Sequence, residues 1–405
     1  MRICVLGAGV IGVSTAYALA RLGHEIIVID KGKDVATGAS QANGAQLSYS
    51  YVDPLASPST LKKMPSYLLG LDKALQLKFR PDLHYFRWGL CFLKNCSPSL
   101  YKSNRLERQA LADLSRDALE SFEKDMPERF MPTRRGKLIL SQTRAEYNTM
   151  KKEVGFVGPE SCLELEPSLK AWARPILGGI YSMTDYALNT VDYCKALKTS
   201  AEEKFGVQYC FGEKVSKLIS RNGRVSAIET DKKQHLADKF IICLGNDALP
   251  LLKPLDITLP IYPIQGYSLT LRSKESSPCI SVTDLQNKIV YANLGDKFRI
   301  AGFVDVNQRF ENNDRRLDLL LQIARETWPD VADFDGPIEK WTGARPMIPS
   351  GVPIIGESKV EGLYLNLGHG SLGYTFAAGS AMKIANIIGH KHKNIGPVRG
   401  NHNAA

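Results

Sequence analysis

Between Met1 and Asp30 the apolar and polar positions follow a strand, helix, strand rhythm. An apolar run, Ile3 to Leu6, leads into Gly7-x-Gly9-x-x-Gly12; a helix-period segment follows to Leu22; a second apolar run, Ile26 to Ile29, closes on Asp30. Runs that are apolar at every position, rather than alternating, predict strands buried on both faces of a parallel sheet. The pattern returns at Phe240 to Leu244, which is expected to join the first two strands. Its end, with Cys243 and Gly245, then lies at the sheet's carboxyl edge, where ligands of open α/β sheets bind.

Elsewhere the periods differ. Leu106, Ala110, Leu114, Ala118 and Phe122 recur at helical spacing and predict one face of a helix over Arg105 to Asp125. Further helices are expected over Asp192 to Lys204 and Asp314 to Thr327, with a small-residue helix from Thr375 to Ile388. Strand-like runs occupy Lys137 to Leu140, Gly179 to Ser182, Val207 to Phe211, and both sides of the Asn222-Gly223 hairpin turn. Tyr262 to Leu271, Val282-Thr283, Ile289 to Asn293 and Phe298 to Phe303 extend this set into a second, mainly antiparallel sheet. Trp341 to Gly356 is too rich in Pro and Gly to predict regular structure. From Gly389 the chain is basic, and a disordered tail is expected.

The opening segment carries chemistry as well as shape. Gly7 permits a tight turn out of the first strand, Gly9 lets backbone approach a pyrophosphate, and Gly12 lets the helix pack closely on the sheet. The helix start, Val10 and Ile11, then faces the phosphates with free N–H groups. Asp30, at the end of the second strand, can accept hydrogen bonds from a ribose, with Lys31 beside it. The small and polar passage that follows, with Ser40, Asn43, Gly44, Ala45 and Gln46, suits contact with the rest of a dinucleotide. Read instead as a secretory signal, Arg2 would be the charged start and Ala18-Leu19-Ala20 the cleavage site, and all three glycines would be lost. The chain is therefore expected to be uncleaved and cytoplasmic.

Composition narrows the class. With 405 residues, 44% hydrophobic and 23% charged, the chain predicts more than one globular domain and no global disorder. Lys and Arg exceed Asp and Glu by 52 to 42, a formal +10, which suits an anionic partner or a solvated basic surface. Eight cysteines lie scattered with no C-x-x-C pair and no histidine at ligand spacing, so neither a metal site nor a disulfide framework is expected. No apolar run reaches the roughly 18 residues a membrane span needs. From Lys62 to Lys94, however, basic residues (Lys62, Lys63, Lys73, Lys78, Arg80, Arg87, Lys94) alternate with Leu68, Leu69, Leu75, Phe79, Tyr85, Phe86, Trp88 and Phe92. Such a segment fits an interfacial membrane contact and fits equally a helix packed on a domain.

Four stretches carry a family resemblance: the opening strand-helix-strand, Tyr262 to Leu271, Trp341-Thr342-Gly343-Ala344-Arg345-Pro346-Met347-Ile348-Pro349, and Leu365-Asn366-Leu367-Gly368-His369-Gly370-Ser371-Leu372-Gly373-Tyr374-Thr375. With them the chain resembles, end to end, flavin-dependent D-amino-acid dehydrogenases, within the superfamily of D-amino-acid oxidase, glycine oxidase and sarcosine oxidase. The resemblance implies an α/β chain with a Rossmann-like FAD-binding domain (1–60, 190–255 and 340–395). An inserted, mainly antiparallel α+β substrate domain (61–189 and 256–339) and a tail at 396–405 complete it. It implies FAD, held noncovalently, since no cysteine lies between Gly343 and Gly356, where sarcosine-oxidase relatives tether theirs. The loop Gly370, Ser371, Leu372, Gly373, Tyr374 and Thr375 would then lie beside the flavin ring, and Val215 beside the adenine. Arg345 would pair with a substrate carboxylate, for which a planar, permanently charged fork is suited. Tyr267 is a candidate hydroxyl for the same carboxylate or a packing residue. His369 and Tyr374 are candidates to gate or back the substrate, or are structural.

The activity implied is oxidative deamination of a D-amino acid, with electrons passed to a membrane quinone and peripheral contact at the inner membrane. Alternatives are an oxygen-using oxidase of glycine, sarcosine or a cyclic imino acid, an RNA-modifying flavoprotein, or a non-catalytic flavoprotein subunit. Nucleic acid is not an expected partner.

Overall fold

The computed structural model describes residues 1–77, 82–127, 134–306 and 314–394, the last five by backbone alone. Lys78, Phe79 and Arg80 of the basic aromatic segment, and the expected tail at 396–405, lie outside the described residues. The central element is the strand Arg2–Leu6, whose apolar run is buried on both faces. It pairs in parallel with Glu25–Asp30 on one side (Val5 opposite Val28) and Lys239–Ile242 on the other (Val5 opposite Ile241). Parallel pairing continues outward to Gln208–Phe211 and to Leu363–Leu367, and antiparallel Ile354–Glu357 closes a six-stranded sheet. The expectation for Phe240 to Leu244 is therefore met, and so is parallel pairing of the opening strands.

Helix Val10–Ala20 is buried almost all round, because Thr190–Phe205 and Gly373–Asn394 pack against it over the sheet. Its lack of an amphipathic stripe follows from that position. The other sheet face is covered by the three-stranded sheet Val215–Arg221, Arg224–Thr230 and Gln234–Leu236. Asn222 and Gly223, both at positive φ (52° and 75°), make its first hairpin turn.

A nine-stranded, mainly antiparallel sheet forms the second layer system. Its path runs from Glu339–Met347 through Tyr262–Arg272, Lys297–Val306, Ile289–Asn293, Ser281–Asp284, Lys137–Ser141 and Gly178–Ser182 to Phe156–Val157, with Leu75–Leu77 joined to Lys297–Val306. Asp314–Thr327 packs behind it on a core containing Leu269, Leu320 and Trp328.

Three expectations need correction. Trp341 to Gly356 is not irregular: Glu339–Met347 and Ile354–Glu357 are strands. Proline is tolerated because Glu339–Met347 is the edge strand of its sheet, next to Tyr262–Arg272, where Pro346 lies opposite Pro263. That strand belongs to the larger sheet, so the boundary expected at 340 falls inside it. The helix at Arg105 begins earlier, at Pro98, and its buried residues, Asn104, Arg108, Leu111, Ala112, Ser115, Ala118, Leu119 and Phe122, include the expected Ala118 and Phe122 but leave Leu106 and Ala110 in solvent. Reading apolar residues alone misplaces part of the buried face. Arg108 is buried because its guanidinium donates to Val52 O and Gly351 O, each at 2.5 Å. The last helix continues past Gly389 to Asn394.

Candidate active site

The nucleotide end is built on backbone constraints. Gly7 sits at φ +105°, and a β-carbon there would stand 2.8 Å from Cys243 O. One on Gly12 would stand 1.8 Å from Gly7 O, so any side chain at Gly12 forces the turn open. Above Gly9 the space is free, the nearest atom being Ser40 Oγ at 3.5 Å, which leaves room for a pyrophosphate. Ser40 Oγ accepts from Val10 N (3.1 Å), so the N–H expected to be free at Val10 is taken, and with the Val10 and Ile11 side chains turned into the core Ile11 serves a ligand only through backbone. Asp30 is aimed by two backbone donors, Ala8 N and Gly32 N, each at 2.6 Å. A carboxylate keeps further lone pairs after two such bonds, enough for ribose hydroxyls. Glu213 N and Gly212 N donate to Asp30 O and Gly32 O, which brings the strand of Val215 alongside. Lys31 is engaged with Asp247 at 2.5 Å, across from the Gly245 turn. These residues fit FAD: a phosphate approach, an acid for the ribose and a close-packed helix start.

The passage after Asp30 runs between the two sheets. Ser268 Oγ donates to Ala42 O (2.6 Å) and Arg299 Nη1 to Asn43 O (2.8 Å), while Gln46 Nε2 donates to Ser281 Oγ (2.7 Å) and Thr283 Oγ1 (3.2 Å). Asn43 Oδ1 accepts from Ala45 N and Thr190 Oγ1. The Asn43 and Gln46 side chains and the Ala45 backbone, whose O accepts from Leu188 N, are thus committed to the protein, and Gly44 is what the passage offers a ring by backbone. Further on, Ser48 N donates to Thr375 Oγ1 (3.1 Å), at the start of the last helix. Lys137 Nζ donates to Ser48 Oγ at 2.7 Å and lies 3.9 Å from Asp185 Oδ2, with both charges buried. Burial pushes this ammonium down to about 8. Neither Lys137, which opens an expected strand, nor Asp185 is a site candidate from sequence; a lysine opening an otherwise apolar strand was the signal available.

Opposite residues of an antiparallel pair share a face. Ile264, Gly266 and Ser268 therefore share one with Arg345, Gly343 and Trp341, and Ser268 shows that this face meets the dinucleotide-side passage. Gly266 and Gly343 lie side by side and leave it bare. The Arg345 guanidinium lies over Gly266, and the Trp341 indole over Gly343. Arg345 is half-buried; among the described residues its hydrogen bond is to Phe303 O at 3.3 Å, which leaves N–H groups for an anion. Burial lowers its pKa, and Asp305 partly offsets that. The arrangement can hold a carboxylate.

Tyr267 is not with it. One residue along the strand from Gly266, it faces the opposite side, buried among Leu269 and Phe303, and its hydroxyl donates to Asp305 Oδ2 at 2.7 Å. Tyr374 also turns away, its ring 5.4 Å from that of Tyr193 in the core under the first helix. His369 is buried next to Met347, its Nε2 unpartnered, and desolvation drops its pKa to about 3, so the ring is neutral. Gly370 needs its positive φ (60°) and lack of side chain, since a β-carbon would meet Met347 Sδ at 2.5 Å. Gly370, Ser371 and Leu372 form a short turn that enters the helix at Gly373, setting backbone N–H groups at its start. Among the described residues no cluster of ligating side chains could hold a metal ion.

Two relatives named D-amino acid dehydrogenase 2 cover nearly the whole chain. That of Pseudomonas aeruginosa is 36% identical over 407 residues, 97% of this chain and 96% of its own length. That of Ralstonia nicotianae is 34% identical over 412 residues, 96% of this chain and 97% of its own length. The crystal structure of glycine oxidase from Bacillus cereus superposes with a TM-score of 0.71 at 19% identity, covering 96% of this chain and 97% of that one, which shows a common fold. The family described as FAD dependent oxidoreductase (DAO) matches residues 2–387. The chain belongs to that family and is an FAD-dependent oxidoreductase.

Proposed function

We propose that the enzyme oxidises D-amino acids to 2-oxo acids and ammonia and delivers the electrons to a membrane quinone. The observation that carries the reading is the Arg345 guanidinium lying over Gly266, beside the Trp341 indole over Gly343, on the face turned to the dinucleotide side. Its fork holds the α-carboxylate and so fixes where the α-carbon lies on that face. FAD supplies the acceptor for the hydride that leaves the α-carbon. The amine must be bound deprotonated so that its lone pair can form the imine. His369 is neutral, and Asp305, the carboxylate that acts on Arg345, is taken up by Tyr267 and Arg316, so neither holds the amine as ammonium. Backbone N–H groups at the turn Gly370 to Gly373 are placed to stabilise negative charge. Water then adds to the released imine, giving the 2-oxo acid and ammonia. FAD is held without a covalent bond, as the lack of cysteine between Gly343 and Gly356 supports.

The D-configuration is supported by the names of the relatives. A quinone acceptor is supported by the exposed apolar and basic surface at Lys62 to Lys94, which suits peripheral contact with the inner membrane. Among the described residues no helix is long and apolar enough to cross one. The test is a product and acceptor assay. D-amino acids should give equal amounts of 2-oxo acid and ammonia with a soluble quinone, and no stoichiometric peroxide in air. Stoichiometric peroxide, or turnover of glycine or sarcosine in preference, would point to an oxidase.

A further inference from the structure

We propose that the helices Pro58–Leu68 and Leu83–Asn95 form an interfacial platform that docks on an anionic phospholipid bilayer, next to the strand that carries Arg345. The proposal rests on the membrane acceptor proposed above and names the surface that reaches it.

Helix Leu83–Asn95 is apolar on two sides. One side is anchored: Trp88 Nε1 donates to Met347 O at 3.0 Å, His84 Nε2 lies 2.8 Å from Ile261 O, and Trp88 and Phe92 are buried against Tyr262 and Ile264. The other side carries Leu83, Phe86, Leu90 and Leu93, spaced three or four residues apart and all exposed, Leu83 and Leu90 by 65% and 67%. A helix in water has no use for a second apolar stripe. Helix Pro58–Leu68 repeats the feature with Leu61 and Leu68, seven apart, and the turn after it adds Leu69 and Leu71 at 73% and 72% exposure. Met64 and Tyr85 tie both helices to the same buried cluster, so these side chains belong to one region. Single exposed leucines are ordinary, whereas a contiguous group marks an interaction site.

Charge identifies the occupant. Lys62, Lys63, Lys73, Arg87 and Lys94 are exposed, and none is in an ion pair among the described residues. The acids of the region are engaged elsewhere: Asp72 with Lys288 at 2.7 Å, and Asp82 as the cap that accepts from His84 N. On helix Leu83–Asn95, Arg87 and Lys94 flank the exposed stripe. Leucines for the acyl boundary with unneutralised cations beside them match an anionic headgroup layer.

The experiment is co-sedimentation of the FAD-loaded enzyme with vesicles of phosphatidylcholine alone or with about 30% phosphatidylglycerol, at low and high salt. Binding should need the anionic lipid and weaken with salt. Leu69→Glu with Leu90→Glu should abolish it, and Lys62→Glu with Lys63→Glu should weaken it by more than the roughly fivefold expected per cation removed. Oxidation of a D-amino acid with a soluble dye should be unchanged in all variants. Equal binding to both vesicle types, no binding to either, or variants that sediment like the parent would overturn the proposal. So would a stable dimer that the leucine variants convert to monomer, because a second copy would then be the occupant. Vesicle binding by an enzyme that oxidises no amino acid would support the platform while removing the proposed reaction.

Discussion

The guanidinium of Arg345 occupies the space that a β-carbon on Gly266 would need, with Nη2 at 2.4 Å and Cζ at 2.6 Å from that point. The two residues are neighbours on paired strands, and one is placed by the absence of a side chain on the other. Arg345→Ala removes the carboxylate fork and should cost about 2–4 kcal/mol of transition-state binding, roughly 30- to 1,000-fold in kcat/KM. Flavin content should be unchanged. Gly266→Ala keeps the arginine and displaces it, so KM should rise while the melting temperature moves little, because the clash is with the far end of a flexible chain. Equal loss of flavin and activity in both variants would show that Arg345 serves the cofactor instead.

Gly12 is constrained by backbone rather than by a side chain. Its missing β-carbon would lie 1.8 Å from Gly7 O, which cannot move without opening the turn. Gly12→Ala should cost about 1–3 kcal/mol of local packing and lower FAD affinity at least about tenfold, as measured by flavin absorbance per chain. Gly9→Ala, with open space above it, should fold normally and lose flavin only by obstructing the phosphate.

His369 is held neutral, its pKa depressed to about 3 by burial. The unfolded chain takes up this proton below about pH 6.5, while the folded chain refuses it until about pH 3. Stability from this residue is complete above pH 6.5 and falls as pH drops through that window, by at most about 1.4 kcal/mol per unit. In His369→Gln, chemical denaturation between pH 6.5 and 4 should show a shallower decline. An identical slope would place the acid sensitivity elsewhere.

Lys137 works in the opposite range. Its ammonium is depressed to about 8, so between pH 8 and 10.5 the unfolded chain holds a proton that the folded chain has released. Stability should rise with pH across that window, the burial cost, of order 3 kcal/mol, being fully present below pH 8. Lys137→Met should flatten this rise. The same variant frees Ser48 Oγ, so any change in flavin fluorescence would report how firmly Ser48 and Thr375 hold that side of the site.

The parallel core was readable because its strands are apolar at every position, and the Asn222-Gly223 turn because its chemistry is local. Arg345 was singled out by the family resemblance of Gly343-Ala344-Arg345-Pro346, and the strand register then sets it over Gly266. What the sequence hid depends on partners far along the chain. Arg108 reads as a surface residue until Val52 O and Gly351 O are brought to it. Pro346 argued against a strand until the strand proved to be an edge. Tyr267 and Arg345 lie near each other across paired strands, and only the register shows that they face opposite sides of the sheet. Lys137 and Asp185 meet at Ser48 through tertiary contacts that no periodicity records.

The most direct test of the proposed reaction is anaerobic bleaching of the bound flavin. D-amino acids added singly to the purified, FAD-loaded enzyme under nitrogen should reduce the absorbance near 450 nm, a wavelength roughly that of oxidised flavin. The L-enantiomers should leave it unchanged, and Arg345→Ala should shift the concentration needed for half bleaching upward by about two orders of magnitude. A flavin that stays oxidised with every D-amino acid, or that bleaches equally with both enantiomers, would contradict the account.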